Sequence, residues 1–568
     1  MKYRPIDKSK TAVLALFIFL ILSIFTVANS SYNADALPQK LQFPQSQQLD
    51  LAAINSGKPP STTNFNITVP GYTIQPVLWN LTLPSAVTFD DNGRNMFLAE
   101  AGYAYGEIHP QPRILKVDLQ NGNVSVLVDR LLNGPITDVA FHDGKLYVSH
   151  RGVISTVDPN TGLIKNIITD LPSVGDHHNN QIAFGPDGRL YFGQGTATNS
   201  GIVGQDNFYA FPWLALAPTF YDIPGKNITL TGQNFVTANP LKSPQPPNGN
   251  ATTGAFVPFG NATEKGQVIK GAIKCSGCII SAKPDGSDLR LVAWGLRNPY
   301  GLAFDNQGRL VVSMNGADER GSRPIKDDND KAFLIDISNS SNFGKFYGWP
   351  DFFGGKELKP VTDPIFKSPR GKQPLQFLIQ AHPPVEKPLA DIGHTVGSTQ
   401  IAISNSTAFG LQDMAFIGQF GTTYPSSHTH FEEDMIGERV VMLNPQTGNV
   451  TEFISTKVPD PSFRPAGITF NNNEDALYIA SIGKFEVRNT LPNGTPLPMY
   501  VPWGYAHTGS IWKVTPTNTT TISTPNTTET TTTESALVQN QSITTPTTSP
   551  PTATITDQGG EQENKSTG

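Results

Sequence analysis

Four clusters of polar side chains in this chain have the makings of a reactive site. A histidine pair, His177-His178, follows Asp176, and an imidazole can take a proton from a hydroxyl at neutral pH. Arg297 stands beside Asn298 and Pro299, offering a guanidinium fork suited to carboxylates next to an amide. The turn Asn315-Gly316-Ala317-Asp318-Glu319 is rich in backbone carbonyls and carries acids, the donor chemistry of a hard cation such as calcium. A further arginine, Arg464, precedes Pro465. Each cluster also has a plain structural reading, since a histidine near a strand end more often caps or hydrogen-bonds its surroundings, and His177 alone is evenly balanced between the two.

The elements around these clusters bring them together. Gly301 to Asp305 and Arg309 to Ser313 are short β-rich runs separated by Asn306-Gln307-Gly308, residue types that tolerate a tight hairpin turn. In an antiparallel hairpin the start of one strand lies beside the end of the next. Arg297-Asn298 and Asn315-Gly316 therefore share one end, opposite the turn. The same pattern recurs from Ser85, Ile136, Asn180 and Pro465, and in a degenerate form from Thr399. Further strand pairs begin at Ile114, Val153 and Val440. Short strands in groups of four at an irregular period predict an all-β fold, a six-bladed β-propeller over 76–514. In such a ring, residues at the starts of the innermost strands and the ends of their hairpin partners meet at one mouth of the central channel. They include Asp138, His177, His178, Asn180, Gln194, Arg297, Asn298, Asn315, Asp318, Glu319, Gln419 and Arg464. The other face receives generic turns such as Pro186-Asp187-Gly188.

Composition bounds the rest. The net charge of -6 has no large block of one sign behind it, which argues against nucleic acid as a partner. Lys2, Arg4, Lys8 and Lys10 precede an uncharged, mostly apolar run at 11–28 and then small residues. That pattern reads 1–36 as an export signal. The run is at the lower limit of a membrane span, so cleavage and retention as an anchor both stand. Either way the remainder is expected outside the cytoplasm, extracellular or at the cell surface, and sequons at Asn66, Asn123 and Asn449 suit a glycoprotein. Residues 37–75 read as a leader segment. The tail 515–568 is dominated by Thr, Ser, Pro and Asn and is expected to be disordered, since it has too little apolar surface to bury. An insertion at about 201–266 reads as a long structureless loop, plausibly a lid over one face. The two cysteines form Cys-Ser-Gly-Cys at 275–278, expected first as a local disulfide, with a redox pair or half a metal site as alternatives.

Five stretches together resemble the glucose/sorbosone dehydrogenase family over all six blades. They are DHHNNQIAFGPDGRLYF from Asp176, GLRNPYGLAFDNQGRLVVSMNGADERG from Gly295, FGKFYGWPDFFGG from Phe343, FIGQFGTTYPSS from Phe416, and FRPAGITF with GSIWKV near the end. The resemblance is greater to the sorbosone dehydrogenase branch. It implies a quinoprotein fold holding pyrroloquinoline quinone (PQQ) with calcium over the channel. His177 would be the base that removes a hydroxyl proton as hydride passes to the quinone. Arg297, Asn298, Asn315 and Arg464 would contact the cofactor, Gly316 and Ala317 would offer carbonyls to calcium, and Tyr347 and Trp349 would flank the substrate entrance.

Three positions depart from the family pattern. Gly421 and Ser462 stand where the soluble glucose dehydrogenases have a lysine and an arginine toward the tricarboxylate cofactor, and Gln181 stands where they have an arginine. The resemblance thus implies an exported dehydrogenase of a small carbohydrate or alcohol that passes electrons to an external acceptor. The alternatives are a non-catalytic cell-surface propeller binding a glycan or protein, and a calcium-dependent hydrolase.

Overall fold

The structure, a computed structural model, describes residues 51–102, 111–209, 213–242, 249–422, 437–457, 460, 462–490 and 496–517. The export segment, the first part of the leader and nearly all of the C-terminal tail lie outside the described residues, and so do the readings made of them. Among the described residues no helix is long and apolar enough to cross a membrane.

Six sheets follow one another along the chain as the blades of a β-propeller, antiparallel except for a short parallel fifth strand, Lys345–Phe346, on the third. Their innermost strands are Pro84–Phe89, Ile136–His142, Asn179–Phe184, Asn298–Phe304, Ser398–Ile403 and Pro465–Phe470. These strands contact one another in chain order, and the sixth contacts the first, which makes the arrangement a ring. The repeated hairpins of the sequence, the degenerate copy included, are the first two strands of the six blades. Second strands such as Leu190–Gln194 and Leu477–Ser481 are buried throughout. Neighbouring blades cover both their faces, so they read as continuous rather than alternating apolar runs. Outer strands such as Val124–Val128 are only partly covered.

The ring is closed by the two ends of the chain. Tyr72–Leu81 is the outermost strand of the sixth blade, antiparallel to Gly509–Pro516, and Phe65–Ile67 adds a fifth strand to the fifth blade. The last part of the segment read as a leader is therefore sheet.

The insertion is built, not structureless. It holds a hairpin, Asn234–Ala238 with Asn250–Gly254, and the short strand Ile228–Thr229, which pairs with Val268–Ile269. Trp213, Leu214, Ala251 and Phe259 pack with Ala197 and Val203, and that apolar burial orders the segment. Cys275 and Cys278 are joined as a disulfide. Between them Gly277 lies against the backbone that links the third blade to the fourth, where a Cβ would stand 2.0 Å from the Leu296 carbonyl oxygen.

Candidate active site

Every blade carries the same irregularity at the same end. In each innermost hairpin the register slips within the first two residue pairs, which is a β-bulge, a device that re-aims a side chain. Ser85, Thr137, Asn180, Tyr300, Thr399 and Ala466 sit in these six irregularities, and all six line a single cavity of about 330 Å³ at that mouth. Four of them also tie their own blade to the next. Ser85 Oγ donates to Ile136 O (2.7 Å), Thr137 Oγ1 to Asn179 O (2.6 Å), Asn180 Nδ2 to Pro299 O (3.0 Å) and Thr399 Oγ1 to Pro465 O (2.9 Å).

Below this floor, buried amides fill the channel. Gln181 accepts from the Leu302 and Ile401 amides, both at 2.9 Å, and donates to Ile401 O. Gln400 donates to Asp138 (2.8 Å) and accepts from Ile468 N. Burial pushes the Asp138 carboxyl up to about 7. Gln181, one of the departures, thus spends its side chain inside the channel.

His177 lines the cavity. Its Nδ1 lies 2.9 Å from Thr196 O, so the proton of the neutral ring is assigned to Nδ1 and Nε2 keeps its lone pair. Enclosure by protein, with the Arg297 and Arg320 guanidiniums nearby, holds its pKa well below the ordinary imidazole value. The ring is fixed from behind by Gly195, where a Cβ would meet His177 Cβ at 2.3 Å and Asn298 Oδ1 at 2.5 Å. His178 also borders the cavity, but its Nδ1 is spent on Ser173 O at 2.9 Å. Burial takes its pKa down to about 3.

Beside the histidines lies a buried network of charge. Arg297 Nη2 is 2.8 Å from Asp318 Oδ2 and 3.0 Å from Asn199 Oδ1. Arg320 reaches Asp176 (2.8 Å), Asp206 (2.7 Å) and Asp318 (2.9 Å). Asp176 is itself held by Asn207 and Trp213 of the insertion, at 2.9 and 2.8 Å. The insertion therefore braces the charge network beside the cavity. Arg320 was not legible as a site residue, because its partners come from the start of the third blade and from the insertion.

Asn298 and Asn315 belong to one directed chain of amides. Asn180 Nδ2 donates to Asn298 Oδ1 (2.8 Å), Asn298 Nδ2 to Asn315 Oδ1 (2.7 Å), and Asn315 Nδ2 to Ser398 O (2.8 Å) and Asp330 Oδ2 (3.2 Å). In the turn that follows, the Gly316 amide donates to Asp330 Oδ1 (2.9 Å) and the Ala317 amide to Asp328 Oδ2 (2.6 Å). Across a trans peptide the carbonyl points opposite the N–H, so the Gly316 carbonyl faces away from Asp328. Gly316 and Asp330 line the cavity, whereas Ala317 is buried outside its lining. Among the described residues no group of three or more His, Cys, Asp or Glu converges as a metal cluster. What the turn offers is backbone carbonyls.

The remaining expected residues lie off the cavity. Arg464 is behind its wall, against Phe420 and Phe485. Tyr347 is buried edge-on to Phe333 at 5.0 Å, and Trp349 is buried against Phe256 with its Nε1 donating to Asn199 O (3.1 Å). Both are packing residues of the fourth-blade crossover rather than part of an entrance. In their place Phe420 and Phe485 supply the aromatic wall, ring centroids 5.0 Å apart and edge to face. Ser462 donates to Asp460 Oδ1 at 2.6 Å, while Gly421 borders the cavity directly.

No family model and no curated protein sequence matches this chain. Among solved structures, the chain is similar to the PQQ domain of a pyranose dehydrogenase from Coprinopsis cinerea in its holo form. The identity is 14%, with 81% of this chain and 99% of that one covered and a TM-score of 0.49. An iodide structure of a Trichoderma reesei carbohydrate-active enzyme of family AA12 matches at 14% identity, 81% and 100% coverage and a TM-score of 0.49. The PQQ-bound aldose sugar dehydrogenase of Streptomyces coelicolor matches at 15%, 81% and 99% coverage and 0.41. Identities and scores this low carry no weight for the chemistry of this chain.

Proposed function

We propose that the protein is an exported oxidoreductase of the quinoprotein sugar-dehydrogenase type. It oxidises a hydroxyl-bearing carbon of a sugar, sugar aldehyde or related alcohol, with PQQ as hydride acceptor, calcium as its companion ion and an external electron acceptor. The observation that carries this reading is convergence: His177, Arg297, Asn298, Asn315 and Gly316, drawn from two blades, line one cavity.

The residues present fit the quinone. Arg297 Nη1 has no acceptor among the described residues, and Arg464 Nε is buried without one. Guanidinium donors left over after internal pairing suit a carboxylate. The Phe420 and Phe485 rings suit a flat heterocycle. Arg297, Asn298 and Asn315 would hold the cofactor, with the Arg464 guanidinium behind the aromatic wall adding positive charge, and the Gly316 carbonyl would face calcium. Bound there, the quinone supplies a two-electron acceptor that no protein side chain provides.

The chain's own part is proton chemistry. His177 Nε2 accepts the substrate hydroxyl proton while Nδ1–H stays on Thr196 O, which fixes the ring for the transfer. The resulting imidazolium faces Arg297 and Arg320, so it is acidic and passes its proton on readily. The pair Arg297–Asp318 and the Asn298 amide orient the hydroxyl-bearing group, and the buried amides below exclude water from the channel.

Purified protein supplied with PQQ, calcium and an artificial acceptor should reduce that acceptor when offered an aldose or a sugar aldehyde. Absence of turnover despite measurable quinone uptake would remove the enzymatic reading. The base works in its neutral form and its pKa is depressed, so kcat/KM should stay level as pH falls from about 8 to 6.5 and decline only below that. A rate profile with its acid limb at or above 6.5 would exclude His177 as the base.

One observation favours the non-catalytic reading, a propeller that binds a glycan or protein at the cell surface. Arg464 is already neutralised by Glu438 at 2.9 Å, and Gly421 and Ser462 add no cation. Failure of the quinone to bind at micromolar levels with calcium present would shift the assignment to that reading.

A further inference from the structure

Behind the aromatic wall stands an ion pair that the proton chemistry does not use. Arg464 Nη2 is 2.9 Å from Glu438 Oε1, and Nη1 donates to Phe420 O at 2.9 Å. The guanidinium carbon lies 5.0 Å from the Phe420 ring centre and 5.5 Å from that of Phe485. Both rings, and Gly421 next to Phe420, border the cavity. The wall is thin at Gly421, where a Cβ would stand 2.9 Å from both Arg464 Nη1 and Glu438 Cγ. Any side chain there would fill the gap between the cavity and the pair.

The approach of Glu438 is specifically built. Gly437 packs on Gly421 so closely that a Cβ on it would lie 2.2 Å from Gly421 Cα. Glu438 follows with φ 53, in the left-handed region that residues with a Cβ avoid. Two glycines and one strained glutamate thus deliver a carboxylate to a guanidinium at the edge of a ligand cavity. Burial, together with Asp460, raises the Glu438 carboxyl above its ordinary range while Arg464 pulls it down. The carboxylate is therefore poorly solvated, and Arg464 is its main compensation.

Resting on the reading of the cavity as a site for a carboxylate-bearing quinone, we propose that Glu438 is a specificity-determining residue: an internal carboxylate that occupies the anion-binding side of Arg464 and that an anionic ligand displaces on binding. A neutral sugar gains nothing from Arg464. A polycarboxylate gains only the difference between its own contact and that of Glu438, so the pair sets a threshold on how anionic an occupant has to be. Gly421 leaves that exchange open to the cavity, where a side chain would block it.

The test is calorimetry on the full chain, as wild type, Glu438→Gln, Arg464→Gln and the double variant. PQQ with calcium and benzene-1,3,5-tricarboxylate, a redox-inert probe, are titrated separately. Removing the competing charge should tighten both probes by about tenfold or more, tenfold being the lower end of what close charge pairs contribute at contacts, and the gain should vanish in the Arg464→Gln background. Glu438→Gly, which keeps the left-handed backbone without strain, serves if the glutamine variant loses its cooperative melt. Equal quinone affinity in wild type and Glu438→Gln overturns the proposal and leaves the functional reading intact. A gain that persists without Arg464 also overturns it. If the tricarboxylate shows the Glu438 effect while the quinone does not bind, the proposal stands and the cofactor reading falls. Binding of neither probe to any variant overturns both.

Discussion

Replacing His177 with alanine should lower kcat by about 10³-fold, within the 10²- to 10⁴-fold range that a positioned base contributes, while the affinity for the quinone stays unchanged. The two effects separate because the ring is anchored through Nδ1 to Thr196 O, which leaves Nε2 without a hydrogen-bond partner among the described residues. A base that acts on the substrate hydroxyl makes no grip on the cofactor. The expected pattern is a collapse in steady-state turnover of an aldose with an unaltered calorimetric isotherm for the quinone. His177→Asn is a useful companion, since its amide can keep the bond to Thr196 without supplying a basic nitrogen. Turnover surviving in both variants would take His177 out of the chemistry.

The second large effect is expected at Arg320, which no sequence pattern singled out. It is the shared cation of Asp176, Asp206 and Asp318, and the Asp176 and Asp206 side chains are almost fully buried. Arg320→Met leaves Asp176 and Asp206 without their cation, while Asp318 keeps Arg297. Stripping one partner from a buried ion pair costs about 3–5 kcal/mol, a large share of the roughly 5–15 kcal/mol that holds a domain folded. Denaturant unfolding should show the loss. A second readout distinguishes a site role from bulk destabilisation. Arg320 is one of the cations that depress the His177 pKa, so its removal should move the acid limb of kcat/KM upward. An unshifted limb would show that Arg320 acts only as a structural tie.

The ring of blades was legible because each inner hairpin keeps its own strand runs and turn, and those signals are local. The five cavity residues His177, Arg297, Asn298, Asn315 and Gly316 were legible for the same reason, being hairpin-end positions whose side follows from strand direction. The bulges were not, since a slipped register leaves no mark on residue type; Ala466 and Tyr300 sit in the irregularity as readily as Asn180. Tyr347 and Trp349 misled because a Tyr-Gly-Trp-Pro turn reads alike whether its rings face a ligand or, as here, Phe333 and Phe256. Arg464 was visible as a cation, but its partner Glu438 follows Gly437, whose packing on Gly421 is apparent only in three dimensions. Long-range closure escaped entirely, because nothing in Tyr72–Leu81 names a partner at the far end of the chain.

That closure fixes an order of assembly. The strand that seals the sixth blade is synthesised ahead of all six inner hairpins and its mate after them, so the early strand waits, edge unpaired, until Gly509–Pro516 has left the ribosome and, in an exported chain, crossed the membrane. Contacts of such sequence separation are slow to form, and a waiting edge is a template for pairing with another chain. The floor of the cavity draws one residue from each of the six blades. A nascent chain stalled before Gly509 thus holds every candidate residue named above and still has no latched ring to keep them together.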